Sequence, residues 1–327
     1  MTKIKHLNTK DISGFSHTDP QGIAVIMPCI DREKGEKTAQ VLKHRAGIDC
    51  EVLVVLDDIR QGFIKTLNAA ATRVDVKYIV YLAQDAYPGR EWLKCAYDVL
   101  ENTGKGLLAF NDGKWHGYIA SFGMVRTSWV KTLYNGPVLF PGYKSHAADN
   151  EITVIARCQD MHIYDAMCTL VEYDPEKAIL PLWGKLQSRE DKILFKERFK
   201  KGFDGLASLE KLKNLSKEYK VEMPVDSKRD AGVSFIISPD NPKNLDDLLK
   251  TFFEVNTVSP FELIIIGENN LDVTQKYGAN AFIRIIRSSC NELDKIRYNR
   301  VEKIRSIDDL TELDRVYASS KFSSSKP

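Results

Sequence analysis

The chain has 327 residues, 43% of them hydrophobic, which is enough for about two domains with well-buried cores. Its 47 basic and 45 acidic residues leave a net charge of +2, which argues against nucleic acid as a main partner. No apolar run is long enough to span a membrane, and the polar N-terminus is not typical of a signal peptide. The six cysteines form no Cys-x-x-Cys pair, which predicts reduced thiols in a cytoplasmic protein and argues against a zinc site or a disulfide framework.

Short apolar runs alternate with helical stretches through the first half of the chain. Residues 23–27, 52–56 and 78–82 predict buried strands, whereas residues 33–46 and 62–74 have helical composition. This alternation predicts an α/β fold, with a mostly parallel sheet and helices on both of its faces.

Each of these three strands ends in polar residues, namely Asp31-Arg32, Asp57-Asp58 and Gln84-Asp85. Carboxyl ends of parallel strands meet at one edge of a sheet, which is where open α/β sheets bind ligands. A carboxylate such as Asp85 can hold Mg²⁺ or Mn²⁺ against the phosphates of a substrate. The alternative for any one of these residues is a solvated cap of a turn, but capping does not explain all three.

Other nucleotide-binding arrangements are not supported by the sequence. No Gly-x-Gly-x-x-Gly follows the first strand, which argues against a nicotinamide or flavin site, and no Gly-x-x-x-x-Gly-Lys-Ser/Thr indicates a P-loop. A sugar nucleotidylyltransferase needs a glycine-rich, arginine-containing loop where this chain has Pro28-Cys29-Ile30-Asp31.

Several segments, in this order, resemble the motifs of family-2 glycosyltransferases. They are Ile-Met-Pro-Cys-Ile-Asp-Arg at 26–32, Val-Val-Leu-Asp-Asp at 54–58, Gln-Asp-Ala-Tyr-Pro at 84–88, the glycine-rich stretch 117–126 and Ala-Asp-Asn-Glu at 148–151. The third is similar to the Gln-Asp-Ala-x-Pro variant of rhamnosyltransferase-like members. The resemblance runs from about residue 23 to residue 175 and implies the GT-A nucleotide-diphospho-sugar transferase fold.

The resemblance also implies roles for individual residues. Asp57 would accept a hydrogen bond from the nucleobase, and Asp85 would hold Mn²⁺ or Mg²⁺, with Asp174 or Glu172 in place of the histidine that many members use. The full implied donor site is Pro28, Asp31, Asp57, Gln84 and Asp85.

The reaction also needs a group that takes a proton from the attacking hydroxyl, because that hydroxyl adds to an oxocarbenium-like anomeric carbon. Asp149 is the candidate base and Glu151 the second candidate; the alternative is that Asp149 only caps a helix and Glu151 lies in its first turn. Trp115 and His116 are candidate acceptor-binding residues, with burial in the core as the alternative.

The resemblance therefore implies a metal-dependent inverting glycosyltransferase. It would move a sugar from a nucleotide-diphosphate donor to a saccharide or lipid-linked saccharide, as in the synthesis of surface polysaccharides or glycans. The alternative is a non-catalytic, degenerate glycosyltransferase that binds nucleotide sugar or glycan within a larger assembly. Gln84 and Ala86 favour this alternative, because the usual motif has more acidic residues around Asp85.

The second half of the chain predicts a charged helical region followed by a partial repeat. Phe195, Phe199 and Phe203 recur every four residues and predict an amphipathic helix that docks its aromatic stripe; the alternative is that its basic face contacts anionic lipid at the inner face of a membrane. Residues 233–241 and 262–270 repeat the first two strands with their polar ends. The predicted organisation is a lead at 1–21, a GT-A domain at 22–180, a helical connector at 181–228, a partial second domain at 229–310 and a disordered tail at 311–327. The exposed sheet edge of that partial domain suggests docking, including as a homo-oligomer.

Overall fold

A computed structural model describes residues 2–112, 115, 117–172, 182–218, 233–237, 244–255, 261–267, 283–287, 300–305 and 309. The chain forms two compact units, the first comprising Met1–Tyr173 and Ala178–Pro224 and the second Asp174–Lys177 and Val225–Pro327. No helix within the described ranges is long and apolar enough to cross a membrane.

The first unit alternates strands and helices along most of its length, as the sequence predicts. Its elements are β1 (Lys3–Asn8), a 3-10 helix (Thr9–Gly14), β2 (His17–Cys29), α1 (Arg32–His44), β3 (Glu51–Leu56), α2 (Phe63–Ala71), β4 (Val74–Tyr81), β5 (Ala86–Pro88), α3 (Trp92–Thr103), β6 (Leu107–Asn111), β7 (Gly123–Arg126), α4 (Thr127–Tyr134), α5 (Ala148–Cys158), β8 (His162–Glu172), α6 (Leu182–Lys200) and α7 (Leu209–Glu218).

These strands form one sheet in the order β1-β3-β2-β4-β7-β6-β8-β5. Strands β1, β3, β2 and β4 are parallel, and β7 is antiparallel to both β4 and β6. Strand β6 therefore runs in the same direction as β4. The mostly parallel α/β sheet is confirmed, and the carboxyl ends of these parallel strands lie at one edge, which we call the carboxyl edge.

Helices pack on both faces of the sheet because the strands are apolar on both sides. In β2, Ala24 and Ile26 belong to one core cluster, together with residues of α2 and α5. Their neighbours Val25 and Met27 belong to another, together with residues of α1 and α3. Trp92 at the start of α3 is fully buried and donates its indole N–H to the carbonyl of Leu42, 3.1 Å away.

Two segments that the sequence analysis separates from the sheet domain pack within the first unit. The lead contains β1, which pairs in parallel with β3. This strand is the outermost of the sheet, and charged residues are typical of such strands because they discourage pairing with another chain. The helical segment contributes Phe195, Phe199 and Phe203, whose ring centroids lie 5.5–6.1 Å apart against the core. The predicted docking of the aromatic stripe is confirmed.

The described part of the second unit is a smaller parallel sheet with a helix. It contains β9 (Val233–Ile237), α8 (Leu245–Val255), β10 (Phe261–Gly267), β11 (Ile283–Arg287) and β12 (Arg300–Ile304), in the strand order β11-β10-β9-β12. Strands β9 and β10 lie where the sequence predicts the two repeated strands, and they pair in parallel as β2 and β3 do. That this unit repeats the first domain stays a prediction. The predicted disordered tail lies outside the described residues.

Candidate active site

The ends of β2 and β4 are joined at the carboxyl edge by a side-chain amide. Gln84 Oε1 accepts hydrogen bonds from the backbone N–H groups of Ile30 (2.8 Å) and Asp31 (3.2 Å). Asp31 itself caps α1, since its Oδ1 accepts from the N–H groups of Glu33 and Lys34 at 2.9 and 3.1 Å. Asp31 and Gln84 thus lie together, as the sequence predicts, and both also shape the loop after β2.

Asp57 organises the neighbouring loop after β3. The residue is buried, and its Oδ1 and Oδ2 accept from the backbone N–H groups of Gln61 (3.0 Å) and Gly62 (2.8 Å). Each oxygen keeps a second lone pair that can accept another hydrogen bond. Pro28 is buried in the adjacent strand, opposite Val55.

Asp149 lies in the first turn of α5 and is half-buried. Burial raises the pKa of this carboxyl, and the charge of Asp112 adds to the increase, while the Asn150 N–H and the charge of His146 oppose it. The Asn150 N–H donates to Asp149 Oδ1 at 2.9 Å. A carboxylate with a raised pKa is a better proton acceptor than an ordinary one, which suits a general base.

Asp112 is a site residue that the sequence analysis missed. It follows β6, is buried, and accepts hydrogen bonds from the Trp115 N–H (2.8 Å) and the Ser121 hydroxyl (2.5 Å). The signal was present, since Asp112 follows a strand as Asp57 does, but the apolar run before it is short and the following stretch is rich in glycine and aromatics. Trp115 is half-buried, and His116 lies outside the described residues.

Tyr81, the last residue of β4, lies near Asp149. The Tyr81 hydroxyl donates to the Ala120 carbonyl at 2.8 Å, and its pKa is raised by burial and by the charge of Asp149. A Cβ at position 123 would lie 2.5 Å from the Tyr81 oxygen, so the close approach of β7 requires Gly123. Gln84 and Asp85 follow Tyr81 closely along the chain.

Glu151, the second candidate base, is fully buried in an ion pair. Its two oxygens accept from Arg198 Nε and Nη2, both at 2.8 Å, and also from the hydroxyls of Tyr134 (2.9 Å) and Tyr143 (2.7 Å). A carboxylate saturated in this way and closed off from solvent is poorly placed to take a proton from an acceptor. We therefore assign Glu151 to holding α5 against α6.

Helix α6 carries a buried carboxylate of its own, Asp191, which holds the segment that leads into α5. Asp191 Oδ1 accepts from the N–H of Lys144 (2.9 Å), and its Oδ2 from those of Ser145 (2.9 Å) and His146 (2.7 Å). Helix α6 therefore holds the chain on both sides of Asp149, through Asp191 before it and Arg198 after it.

Replacing the buried Asp191 with alanine should lower the free energy of unfolding by about 1–3 kcal/mol, because the N–H groups of residues 144–146 lose their acceptor. The measurement is urea unfolding of the full chain. Glu190→Gln is the matched control, because the neighbouring Glu190 forms only an exposed pair with Lys144 at 2.6 Å and should change stability by less than about 0.5 kcal/mol. Equal, small effects of the two substitutions would contradict the role of Asp191.

At the carboxyl edge, few side chains of the described residues are placed to bind a metal ion. Among the residues that the structure describes, no three His, Cys, Asp or Glu side chains lie close enough together to hold an ion. Asp85 lies in the turn between β4 and β5 with its Oδ1 buried from solvent, and Asp174 lies outside the described residues. This donor set fits a cation that takes most of its ligands from substrate phosphates and water, as Mg²⁺ sites commonly do.

No family model matches the sequence. No curated protein matches it either.

Solved structures with similarity include a mannosyltransferase, PcManGT from Pyrobaculum calidifontis, in complex with GDP-Man and Mn²⁺. It is 14% identical, with a TM-score of 0.42 over 57% of this chain and 65% of that one. Residues 1–349 of TarS from S. aureus are 14% identical, with a TM-score of 0.34 over 46% of this chain and 59% of that one. The glycosyltransferase GlyE of Streptococcus pneumoniae is 10% identical, with a TM-score of 0.30 over 91% of this chain and 90% of that one. The chain thus spans less than two thirds of the first two proteins.

Proposed function

We propose that the protein is a GT-A glycosyltransferase that moves a sugar from a nucleotide-diphosphate donor to a saccharide or lipid-linked saccharide. The observation that carries the proposal is the grouping of Asp57, the Gln84–Asp85 turn and Asp149 at one edge of the sheet, with Asp149 near Tyr81 at the end of β4. Ligands of α/β sheets bind at this edge, and a transferase needs a donor site beside a base.

The donor half of the site is assigned to the loops that the strand-end residues hold. The nucleobase would hydrogen-bond to a remaining lone pair of Asp57, and Gln84 and Asp31 would keep the adjoining loop in place. Asp85, with Asp174 as a further proposed ligand, would hold Mn²⁺ or Mg²⁺. The ion would supply positive charge opposite the leaving diphosphate.

The acceptor half is assigned to α5 and the loop after β6. Asp149 would take the proton of the attacking hydroxyl as this oxygen displaces the diphosphate from the opposite face, which inverts the anomeric carbon. Trp115 and His116 remain proposed acceptor contacts. Lys192, Lys196 and Lys200 are exposed along α6, and we propose them as the contact with anionic lipid that would bring a lipid-linked acceptor within reach.

A binding protein without activity is the second candidate function. It is favoured by Gln84 and Ala86 beside Asp85, and by the lack of a three-residue metal cluster among the described residues. Such a protein would bind nucleoside diphosphates but release none from a nucleotide sugar.

Replacing Asp85 with asparagine should abolish the increase in nucleoside-diphosphate affinity that Mn²⁺ produces, because the formal charge at the metal is lost while size and polarity are kept. The measurement is calorimetry with UDP, dTDP and GDP, each with and without Mn²⁺. Asp75→Asn is the matched control: Asp75 lies near the start of β4, the strand that precedes Asp85, and is 64% exposed and paired with Lys131. If the Asp85 variant responds to Mn²⁺ like the parent, Asp85 is not a metal ligand.

A further inference from the structure

A cavity of about 140 Å³, separate from the carboxyl edge, is lined by Gly117, Tyr118, Arg157, His162 and Tyr164. His162 stands opposite Leu107, the first residue of β6, whereas Asp112 follows the last residue of that strand. Strand β6 is roughly 16 Å long, so His162 and Asp112 lie near its opposite ends. The loop that begins at Asp112 contributes Gly117 and Tyr118, so one segment of chain borders both the candidate active site and this cavity.

His162 provides an unused hydrogen-bonding atom in the cavity wall. Its Nε2 is buried and has no hydrogen-bond partner among the residues that the structure describes. Burial, and then the charge of Arg157, lower the pKa of this histidine to about 4, so the ring is neutral at neutral pH. The bond between the ring and the Gly117 backbone favours the protonated ring, as expected when a ring N–H donates to a carbonyl. Nε2 is then an acceptor, and leaving it unsatisfied costs about 1–3 kcal/mol.

Arg157 contributes a positive charge and a planar set of donors to the same cavity. Its guanidinium carbon lies 5.5 Å from the ring centroid of Tyr118, in a cation–π arrangement that limits its orientation. A guanidinium matches the two oxygens of a carboxylate better than it matches a single hydroxyl. The tyrosine rings add apolar surface of the kind that contacts the face of a sugar ring.

In the cavity wall, the loop at Gly117 packs tightly against Tyr164. Gly117 has a φ of +79°, and a Cβ at this position would lie 2.5 Å from Tyr164 Cβ. Only glycine therefore lets the loop lie against Tyr164 without displacing it. The wall thus holds an acceptor for a hydroxyl and a donor set for a carboxylate in a space of limited size.

We propose that this cavity is a subsite for a carboxylate-bearing sugar of the acceptor, with Arg157 binding the carboxylate and His162 Nε2 accepting from a hydroxyl. The proposal rests on the proposed function, which makes the acceptor a saccharide. Arg157 lies eight residues after Asp149 on α5, roughly 12 Å along the helix. The cavity would therefore hold an acceptor sugar other than the one that is glycosylated and would select acidic acceptor chains.

The test is NMR titration of the full chain with glucuronate, using glucose and acetate as the neutral and the non-sugar probes. Glucuronate should shift the His162 ring signals and bind more tightly than either of the others. Arg157→Gln should weaken binding by about tenfold or more. Arg157→Lys should recover only part of the affinity, and Arg189→Gln, at an exposed position on α6, should change nothing.

Equal binding of glucose would overturn the recognition of charge, and equal binding of acetate would overturn the recognition of a sugar. Absence of glucuronate binding to a chain that still turns over a nucleotide sugar would reject the subsite and leave the proposed function intact. Binding that is lost in Arg157→Gln, in a chain that turns over no donor, would support the site and reject the proposed function.

Discussion

Replacing Asp149 with asparagine should lower sugar transfer by about 100-fold or more while nucleotide affinity stays near that of the parent. Asparagine keeps the size and the hydrogen bond from the Asn150 N–H but cannot take a proton. The measurement is transfer rate and nucleoside-diphosphate affinity for the same preparations. Asp98→Asn, at a half-exposed position on α3 paired with Lys94, is the control and should leave both unchanged. A variant that keeps most of its transfer activity would move the base elsewhere.

Asp149 should also determine how the transfer rate and the stability depend on pH. The rate of the parent should fall on the acid side at a higher pH than an ordinary aspartate would give, because burial raises the pKa of Asp149. A folded-state pKa above the unfolded value also means that ionisation costs stability as the pH rises through it. Asp149→Asn should therefore be at least as stable as the parent at neutral pH, so its loss of activity would not reflect unfolding.

Replacing Arg198 with methionine should lower the free energy of unfolding by about 3–5 kcal/mol, because the fully buried Glu151 carboxylate loses its cationic partner. The measurement is urea unfolding followed by fluorescence. Lys200→Met, on the exposed face of the same helix, is the matched control, with an expected change below about 0.5 kcal/mol.

The double variant Arg198→Met, Glu151→Gln should recover part of the loss, because no charge then remains buried and unpaired. One tyrosine hydroxyl can still donate to the glutamine oxygen, and the other can accept from the glutamine amide N–H. A loss below about 1 kcal/mol in Arg198→Met alone would contradict this account of the ion pair.

The strands that the sequence predicts best are those buried on both faces. The buried stretches 23–29 of β2, 52–55 of β3 and 78–81 of β4 are apolar runs, which mark interior parallel strands. The polar first half of β2 was not predicted as a strand. Strands β1 and β12 were missed because each forms the edge of its sheet and mixes charged residues with apolar ones. Their pairing is set by the neighbouring strand rather than by a local pattern.

The candidate site was predictable where it depends on strand ends and not where it depends on tertiary packing. Asp31 and Gln84 follow predicted strands, and the structure joins their loops as expected. Asp191 and Arg198 lie on a helix rich in charge, where nothing local distinguishes a buried charged residue from an exposed one. Only the packing of α6 against α5 makes them partners of the Asp149 segment.

The most direct test of the proposed function is release of nucleoside diphosphate from a panel of UDP-, dTDP- and GDP-sugars by the full chain in Mn²⁺. We expect at least one donor to be turned over, slowly with water alone and faster with a saccharide acceptor, and Asp149→Asn to lose the acceptor-dependent part. Tight binding of a nucleoside diphosphate with no turnover of any donor, under any acceptor tried, would contradict the enzyme and favour the binding protein.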